Sequence, residues 1–446
     1  MTNKKKNKSI FTEGDINTSD ERKNWLAQIN NQQTLDYLEK DARFFLHQAL
    51  STPCLDVVAS SKGSSLYNLE GKKYLDFHGN STHQIGFGNE VVIEKLKAQL
   101  DECSFSTRRY TNKAAVDLAE KLTSLLPSGM NKVLFAPGGA EVNGIALKLA
   151  RMVTGKHKVI SYWDSFHGAT LDTISAGGEA IFRENMGPLM PGVIRIPPPM
   201  NFRGFFDDEI KTADYLEYVI EKEGEIGAFI AEPIRNTDVQ IPSAKYWQRI
   251  REICTRHNIL LILDEIPTAL GRTGKMFAFE NFGIEPDIIT LGKGLGGGIV
   301  PFAAMVCRDE YDIASTISLG HYTHEKSPLG SAAAHATIDF IQNNNLLNKV
   351  MQDEIWMKQK LDELKSRHKM ISDVRGIGLL WALELIKNDQ PAIKETEKIM
   401  YTCLRNGLSF KVSHGNTILL SPALTIDKNE LEEAISILDR AIYANQ

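Results

Sequence analysis

The chain has 446 residues, of which 42% are hydrophobic and 24% are charged, so it is long enough for a large globular domain and a second, smaller one. Its formal net charge of −5 gives no reason to expect nucleic acid or an anionic membrane as a partner, and leaves small neutral or anionic metabolites as candidates. The five cysteines are scattered and form no CxxC pattern, which predicts neither a disulfide framework nor a zinc site and favours the cytoplasm as compartment.

The N-terminus is basic, with Lys4, Lys5, Lys6 and Lys8, but no apolar run follows it as one would in a targeting signal. We interpret these residues as a solvated tail. No later stretch approaches eighteen uninterrupted apolar residues, so a membrane-spanning helix is not expected. The first ordered element is expected near Thr18, where the sequence TSDE has the spacing of a capping box.

The middle of the chain predicts an α/β domain. After a segment at 71–77, GKKYLDF, that suggests a hairpin arm, short β-rich runs alternate with helical stretches from Val133 to Cys307. The β-rich runs are KVLFA, KVISYW, GAFIAE, ILLILDE, DIITLGK and AAMVC. Buried strands separated by helices are typical of a mostly parallel sheet with helices on both of its faces.

The C-terminal third has a different pattern, with two amphipathic helices. Their apolar stripes are Leu347, Met351 and Ile355 in one, and Leu431, Ile435, Leu438 and Ile442 in the other. We expect both ends of the chain to build a smaller α+β domain beside the large one. The expected division is 1–95 for the N-terminal arm and part of the small domain, 96–330 for the large domain and 331–446 for the rest of the small domain, with the ligand site in the cleft between them.

Ligands of an open α/β sheet bind beyond the carboxyl ends of its strands, and two charged candidates lie there. The run ILLILDE ends in Asp264 and Glu265, and the run DIITLGK ends at Lys293 in a turn with five glycines between 292 and 298. A strand-end acid can also cap the next helix, and a lone lysine is more often a solvated surface residue. The glycines favour a ligand at Lys293, because they let the backbone pass close to one.

Two further strand ends carry uncharged candidates. Gly139 and Ala140 begin a predicted helix, whose first backbone N–H groups make a cradle for phosphate, although a simple tight turn is an equal alternative. Phe166 and His167 follow the run KVISYW, where an aromatic side chain can stack on a planar ring, although core packing is the commoner use of such a residue.

Together these four signals describe the needs of one cofactor, pyridoxal 5'-phosphate (PLP). PLP requires a lysine for a Schiff base, a carboxylate for its pyridine nitrogen, a helix N-terminus for its phosphate and an aromatic face against its ring. Lys293, Asp264, the 139–140 turn and Phe166 would supply them. Asp264 precedes Lys293 by 29 residues (293 − 264), enough for the helix and strand that bring both to the same edge.

These residues resemble the class III, fold type I aminotransferase family along nearly the whole chain. The matching segments are GAEVNGIALKLAR at 139–151, FHG at 166–168, AEP at 231–233, DEIPTALGRTG at 264–274 and TLGKGLGGG at 290–298. The resemblance implies a large domain with a sheet of the seven-stranded type and a homodimer with its active site at the subunit interface. It also implies that Thr323 reaches the phosphate of the partner subunit's PLP.

The chain departs from the family pattern at three positions. Pro267 stands where the family has a glutamine that contacts the PLP phenolic oxygen, and Ala140 replaces a serine of the phosphate turn. Most important, Leu419 occupies the position of an arginine that binds a substrate carboxylate in ornithine- and GABA-type members. Leucine cannot make the bidentate bonds of that recognition, so exchange of an ordinary amino acid with 2-oxoglutarate is disfavoured.

Any substrate anion must then be bound elsewhere. We predict Arg108 and Arg109 for this role, with Arg235 and Lys411 as weaker candidates; the alternative for the arginine pair is a solvated surface or a salt bridge. Glu232, which pairs with the missing arginine in the family, is left near the cofactor as an acid or as a hydrogen-bond acceptor for a substrate hydroxyl.

Other segments, including DFHGNSTHQIGFGN, TRRYTN and GHYTHEKSP, resemble the ammonia-lyases of bacterial aminophosphonate breakdown within this family. That resemblance implies conversion of (R)-1-hydroxy-2-aminoethylphosphonate to phosphonoacetaldehyde and ammonia, with Lys293 as general base and loss of hydroxide from the neighbouring carbon. The first alternative is an ω-aminotransferase that moves an amino group to a keto acid. A non-catalytic PLP-binding sensor is the remote one, since the residues before the main fold are too few and too acidic for a DNA-binding module.

Overall fold

The computed structural model describes residues 18–48, 54–200 and 204–446. The predicted lysine tail lies outside the described residues. Thirteen helices occur within these ranges: α1 Asp20–Ala27, α2 Gln32–Phe44, α3 Glu90–Glu102, α4 Lys113–Thr123, α5 Gly139–Thr154, α6 Leu171–Ala176, α7 Ala180–Arg183, α8 Glu209–Glu223, α9 Ala244–Arg256, α10 Pro328–Asn343, α11 Leu346–Arg367, α12 Ile393–Arg405 and α13 Lys428–Ala444.

Sixteen strands accompany them in the same ranges: β1 Val58–Lys62, β2 Ser65–Asn68, β3 Lys73–Asp76, β4 Lys132–Ala136, β5 Lys158–Tyr162, β6 Val193–Ile196, β7 Ile226–Ala231, β8 Leu260–Asp264, β9 Ile288–Leu291, β10 Ala303–Cys307, β11 Ile371–Ile377, β12 Leu380–Lys387, β13 Gln390–Pro391, β14 Leu408–Ser409, β15 Lys411–Ser413 and β16 Thr417–Leu420.

The central sheet has seven strands in the order β4-β10-β9-β8-β7-β5-β6. β10 is antiparallel to both of its neighbours, and the other pairs are parallel. The predicted mostly parallel α/β sheet is confirmed, and all six predicted β-rich runs lie in it. The sequence analysis missed β6, an edge strand of only four residues.

Burial explains why these runs are strands. All residues of β7, β8, β9 and β10 are buried, because helices cover both faces of the sheet, and a strand covered on both faces carries a continuous apolar run instead of an alternating one. α5 follows β4 and contributes eight buried residues, which pack it firmly on the sheet. The N-terminus of α5 is thereby held at the carboxyl edge.

Both ends of the chain join beside this sheet. β2 and β3 form the predicted antiparallel hairpin, and β14 from the C-terminal part pairs parallel with β3, placing Leu408 opposite Leu75. A second sheet, in the order β11-β12-β16-β15, comes entirely from the C-terminal part. The expected mixing of the two ends is therefore present, while the residue limits of the two domains stay a prediction.

One predicted apolar stripe is wrong. In α13 the four predicted residues are all buried, but in α11 Met351 is 38% exposed and Ile355 is 73% exposed. The core-facing residues of α11 are Leu346, Val350, Met357, Leu361 and Leu364. Positions four apart advance by about 400°, so a stripe spaced only by fours winds off the buried face, whereas mixed spacings of three and four stay on it.

The start of α1 is close to its predicted position. Ser19 caps the helix by accepting a hydrogen bond from the Arg22 backbone N–H at 3.0 Å, so the cap lies one residue after Thr18 and the predicted box with Glu21 does not form. In the part of the chain that the structure describes, no helix has the length and apolar character needed to cross a membrane.

Candidate active site

A cavity of about 350 Å³ opens at the carboxyl edge of the central sheet. One side, here called the sheet wall, consists of seven residues at strand ends and helix starts: Gly139, Ala140, Phe166, His167, Glu232, Asp264 and Lys293. The opposite side, here called the terminal wall, comes from the two ends of the chain: His78, Asn80, Ser81 and Lys411. The structure thus brings the candidates from five separate segments of the large sheet to one space.

Asp264 is held by three hydrogen bonds. Its Oδ2 accepts from Asn143 Nδ2 at 2.8 Å and lies 2.9 Å from His167 Nδ1, and its Oδ1 accepts from the Ile266 backbone N–H at 3.1 Å. The carboxylate is 2% exposed. A buried carboxyl group needs such partners, so the network fixes the position of the Asp264 side chain, which a cationic ring nitrogen could face.

Two residues of this network were missed by the sequence analysis. Asn143 also donates to the His167 carbonyl at 2.8 Å, and its Oδ1 accepts from Thr290 Oγ1 at 2.8 Å. Asn143 and Thr290 are both completely buried. The signal that could have found them is a polar side chain at an inward position of an otherwise apolar helix or strand, because buried polar groups need designated partners.

Glu265, next to Asp264, has a structural role. Its carboxylate accepts from the backbone N–H groups of Ala278 at 2.6 Å and Phe279 at 2.7 Å, at the start of a short 3-10 turn. Burial raises the pKa of Glu265 to about 8. The two acids at the end of β8 therefore divide the two roles considered for the pair: Glu265 caps a turn and Asp264 lines the cavity.

Lys293 stands in a backbone conformation that only a surrounding structure can impose. Its φ is 47°, in the left-handed region that non-glycine residues rarely occupy. The following Gly294 has no room for a side chain, since a Cβ there would lie 1.9 Å from Gln84 Oε1. The glycine-rich turn therefore packs directly on the terminal part of the chain and presents Lys293 to the cavity.

The N-terminus of α5 is open toward the cavity. Gly138 is its N-cap residue and makes no side-chain cap, and a Cβ on Gly139 would lie 2.7 Å from Ile266 Cδ1. The sixteen-residue helix directs its first N–H groups and the positive end of its dipole at this point. Such a terminus fits a phosphate group, which needs no side chain to bind there.

The aromatic and imidazole groups of the sheet wall complete the set. Phe166 lines the cavity and contacts the Phe182 ring, with centroids 4.6 Å apart. His167 is buried, and its Nε2 has no hydrogen-bond partner among the described residues. A lysine, a buried carboxylate, an open helix N-terminus and an orphaned ring nitrogen together fit PLP.

Glu232 lies at the end of β7 and is 8% exposed. Burial raises the pKa of its carboxyl group, and the negative charge of Asp264 adds to the shift. Its Oε2 accepts from the Asn236 backbone N–H at 3.0 Å. A carboxyl with a raised pKa that lines a reaction cavity is suited to donate a proton.

Three predicted site residues do not line the cavity of their own chain. Arg108, Arg109 and Thr323 are all exposed. Arg108 contacts His321, and Asn112 donates to the Lys326 carbonyl at 2.9 Å. The segment around the twin arginines and the loop that carries Thr323 therefore form one outward-facing surface.

The two weaker anion candidates lie in different environments. Arg235 donates to the Asp164 carbonyl at 2.7 Å and pairs with Asp238 at 3.2 Å, so its charge is already used inside the protein. Lys411 lines the cavity. Pro267 and Ala140, two of the departures from the family pattern, line it as well.

Comparison with known proteins agrees with this geometry. The family profile described as aminotransferase class-III matches residues 47–442. A protein of Vibrio splendidus named (R)-1-hydroxy-2-aminoethylphosphonate ammonia-lyase is 52% identical over 97% of this chain and 95% of its own. A leucine/methionine racemase of Thermococcus litoralis is 33% identical over 91% of this chain and 95% of its own. The structure of an amine transaminase from an uncultivated Pseudomonas species in its PLP-bound form superposes with a TM-score of 0.85 at 30% identity, covering 90% of this chain and 99% of that one.

Proposed function

This chain belongs to the class III aminotransferase family and is a PLP enzyme of fold type I, and we propose that it converts (R)-1-hydroxy-2-aminoethylphosphonate to phosphonoacetaldehyde and ammonia. The observation that carries the proposal is 52% identity over nearly the full length with the relative that bears this activity in its name. Leu419, in place of the carboxylate-binding arginine, supports a substrate other than an ordinary amino acid.

The reaction breaks a C–H bond on the amine-bearing carbon and the C–O bond on the neighbouring one. Water is lost in the elimination and is taken up again when the nitrogen leaves as ammonia, so the products balance without an oxidant or a keto acid. PLP, when bound, supplies the aldehyde that takes up the substrate amine and the electron-accepting ring that makes the C–H bond acidic.

In this proposal Lys293 and Asp264 serve the C–H step. Lys293 Nζ binds the cofactor at rest and, once released, takes the proton from the amine-bearing carbon. Asp264 would face the cofactor ring nitrogen, and Asn143 and His167 hold its side chain in place. The N–H groups of Gly139 and Ala140 would hold the phosphate, and Phe166 would pack against the ring.

Glu232 serves the C–O step. Hydroxide is a poor leaving group unless it is protonated as it departs, and the raised pKa of Glu232 keeps a proton available at that carboxyl. The hydrogen bond from the Asn236 backbone N–H to Oε2 orients the carboxyl group.

We propose that the working enzyme is a homodimer with its site at the subunit interface. The surface that carries Arg108, Arg109 and Thr323 would then face the cavity of the partner subunit. Phe105 packs its ring on His324 with centroids 5.2 Å apart, so the arginine segment and the threonine loop would reach that cavity together. The expected contributions are Thr323 to the cofactor phosphate and the arginines to the substrate anion.

The test is to incubate the PLP-loaded enzyme with the hydroxy-aminophosphonate and no keto acid. Sustained release of ammonia and phosphonoacetaldehyde, over many turnovers per active site, is the expected result. A single turnover that ends in pyridoxamine phosphate, and resumes only when pyruvate or 2-oxoglutarate is added, would refute the lyase and establish the aminotransferase alternative.

A further inference from the structure

The hairpin of β15 and β16 places a cation beside the missing arginine. The two strands are antiparallel, and Lys411 lies directly opposite Leu419 in their register. Residues opposite each other in an antiparallel pair project from the same face of the sheet. Leu419 is 1% exposed, whereas Lys411 lines the cavity. A positive charge, which Leu419 on β16 cannot supply, is therefore present at Lys411 on the neighbouring strand β15, on the same face of the sheet.

The terminal wall around Lys411 is electropositive. Desolvation, followed by the charges of Lys411, His83 and Lys293 in that order, lowers the pKa of His78 to about 3. The imidazole is thus neutral beside two lysines. Asp238 pairs with Arg235 at 3.2 Å and lies 3.4 Å from His414. The two lysines that line the cavity would attract an anionic substrate group.

A strained turn carries polar side chains to the same wall. Gly79, Asn80 and Ser81 all have positive φ, at 47°, 47° and 56°. The Asp76 carboxylate holds this turn by accepting from the backbone N–H groups of His78 and Gly79, both at 3.0 Å. Strain of this kind persists only where the surroundings impose it, and it clusters at ligand clamps.

We propose that Lys411, in addition to the twin arginines, binds the phosphonate of the substrate, with the amide of Asn80 and the hydroxyl of Ser81 as neighbouring donors. This inference rests on the proposed function and names the group in this chain that recognises its substrate class. A lysine ammonium is a compact point charge with three donors, and it can bind any of the three oxygens of a phosphonate. A cation on β15 instead of β16 changes the place in the cavity at which the substrate anion is held.

The experiment compares Lys411→Met and Lys411→Arg in the PLP-loaded enzyme, with Lys387→Met as the matched control. Lys387 lies on β12 in the same sheet and pairs with Glu395 at 2.9 Å, outside the cavity. The probes are ethylphosphonate, whose binding is measured by calorimetry, and the hydroxy-aminophosphonate, whose KM and kcat are measured by ammonia release. Lys411→Met should weaken ethylphosphonate binding and raise KM by about 10- to 100-fold, since one charge-assisted bond is lost, with kcat changed less than about threefold.

Lys411→Arg keeps the charge and should recover part of the affinity, which also separates a binding effect from misfolding of the methionine variant. Equal ethylphosphonate binding by wild type and Lys411→Met, or no binding by either, overturns the inference. If wild type binds ethylphosphonate through Lys411 but releases no ammonia from the hydroxy-aminophosphonate, the anion site stands and the proposed reaction fails. If ammonia is released with an unchanged KM in Lys411→Met, the reaction stands and the anion site fails.

Discussion

The two walls of the cavity are built on different principles. Behind the sheet wall, Asn143 and Thr290 hold Asp264 and His167 in a buried hydrogen-bond network that involves no substrate. On the terminal wall, Lys411 lines the cavity together with a neutral His78 and the strained turn at 79–81. A buried hydrogen-bond network suits a cofactor that stays, and a cation on the cavity wall suits an anionic substrate that comes and goes. The comparison predicts that changes to the sheet wall lower kcat for any amine, whereas changes to the terminal wall affect KM for phosphonates.

The largest effect is expected from Lys293→Ala. Removal of the amine deletes the general base for the C–H step, and kcat for ammonia release should fall by about 10⁴-fold. Borohydride treatment followed by peptide mass mapping should tag Lys293 in the wild type and no residue in the variant. A variant that retains more than a tenth of wild-type kcat would show that another base serves the sheet wall.

Asp264→Asn should have the next largest effect. The substitution removes the charge opposite the cofactor ring but keeps an oxygen for the bonds from Asn143 and His167, so kcat should fall by about 10²- to 10³-fold. Ammonia release under saturating substrate measures it. Glu265→Gln is the matched control at the adjacent position, and its kcat should stay within about threefold of wild type, because Glu265 binds only the 278–279 backbone.

Glu232→Gln tests whether the carboxyl group of Glu232 protonates the departing hydroxyl. Glutamine cannot donate an acidic proton to the departing hydroxyl, and kcat should fall by about 10- to 100-fold. The sharper readout is a substrate with a better leaving group than hydroxide at the same carbon, for which the deficit should disappear. A deficit of the same size with both substrates would mean that Glu232 acts on the cofactor instead of the leaving group.

The smallest effect is expected on the terminal wall from Asp76→Asn. Asparagine can accept only one of the two N–H bonds that hold the 79–81 turn, so KM for the phosphonate should rise about threefold at unchanged kcat. Burial raises the pKa of Asp76 from 3.8 to about 6 in the folded protein. The folded state thus favours the protonated form, and the contribution of Asp76 to stability is full below pH 3.8 and declines as the pH rises to 6.

Thermal unfolding midpoints at pH 4.5, 5.5 and 6.5 measure this contribution. The decline should be shallower in Asp76→Asn, which has no carboxyl to titrate. Other groups that titrate in this range are common to both proteins and cancel in the difference. Parallel curves for wild type and variant would contradict the raised pKa.

The sheet wall could be predicted from the sequence because each of its residues belongs to a local strand–loop signal. A buried run followed by a charged or glycine-rich end places Asp264, Lys293 and Gly139 without knowledge of distant contacts. Asn143 and Thr290 were not predicted, because the hydrogen bond that makes them important joins residues 147 positions apart in the chain. The roles of Arg108, Arg109 and Thr323 stay predictions, since they depend on a second subunit.

The terminal wall was harder to predict, because strand register decides whether a side chain such as Lys411 faces the cavity. That Lys411 stands opposite Leu419 follows from where the hairpin turns, and a shift by one residue would point the lysine to the other face. The wrong stripe in α11 has a different cause, since residues spaced only by fours wind off the buried face of a helix. The residues of local strand–loop motifs could therefore be predicted from the sequence, whereas the pairing between distant elements could not.

The pairing of β14 with β3 has a consequence for biosynthesis. It brings a strand that ends at Ser409 beside one that begins at Lys73, and Ser421 donates from its backbone to the Phe77 carbonyl at 2.7 Å. A ribosome-bound chain translated only as far as α11 already contains all the residues of the sheet wall but lacks Lys411. Under the proposed role of Lys411, the anion site is therefore the last part of the cavity to be completed, and a chain that terminates before residue 411 lacks it.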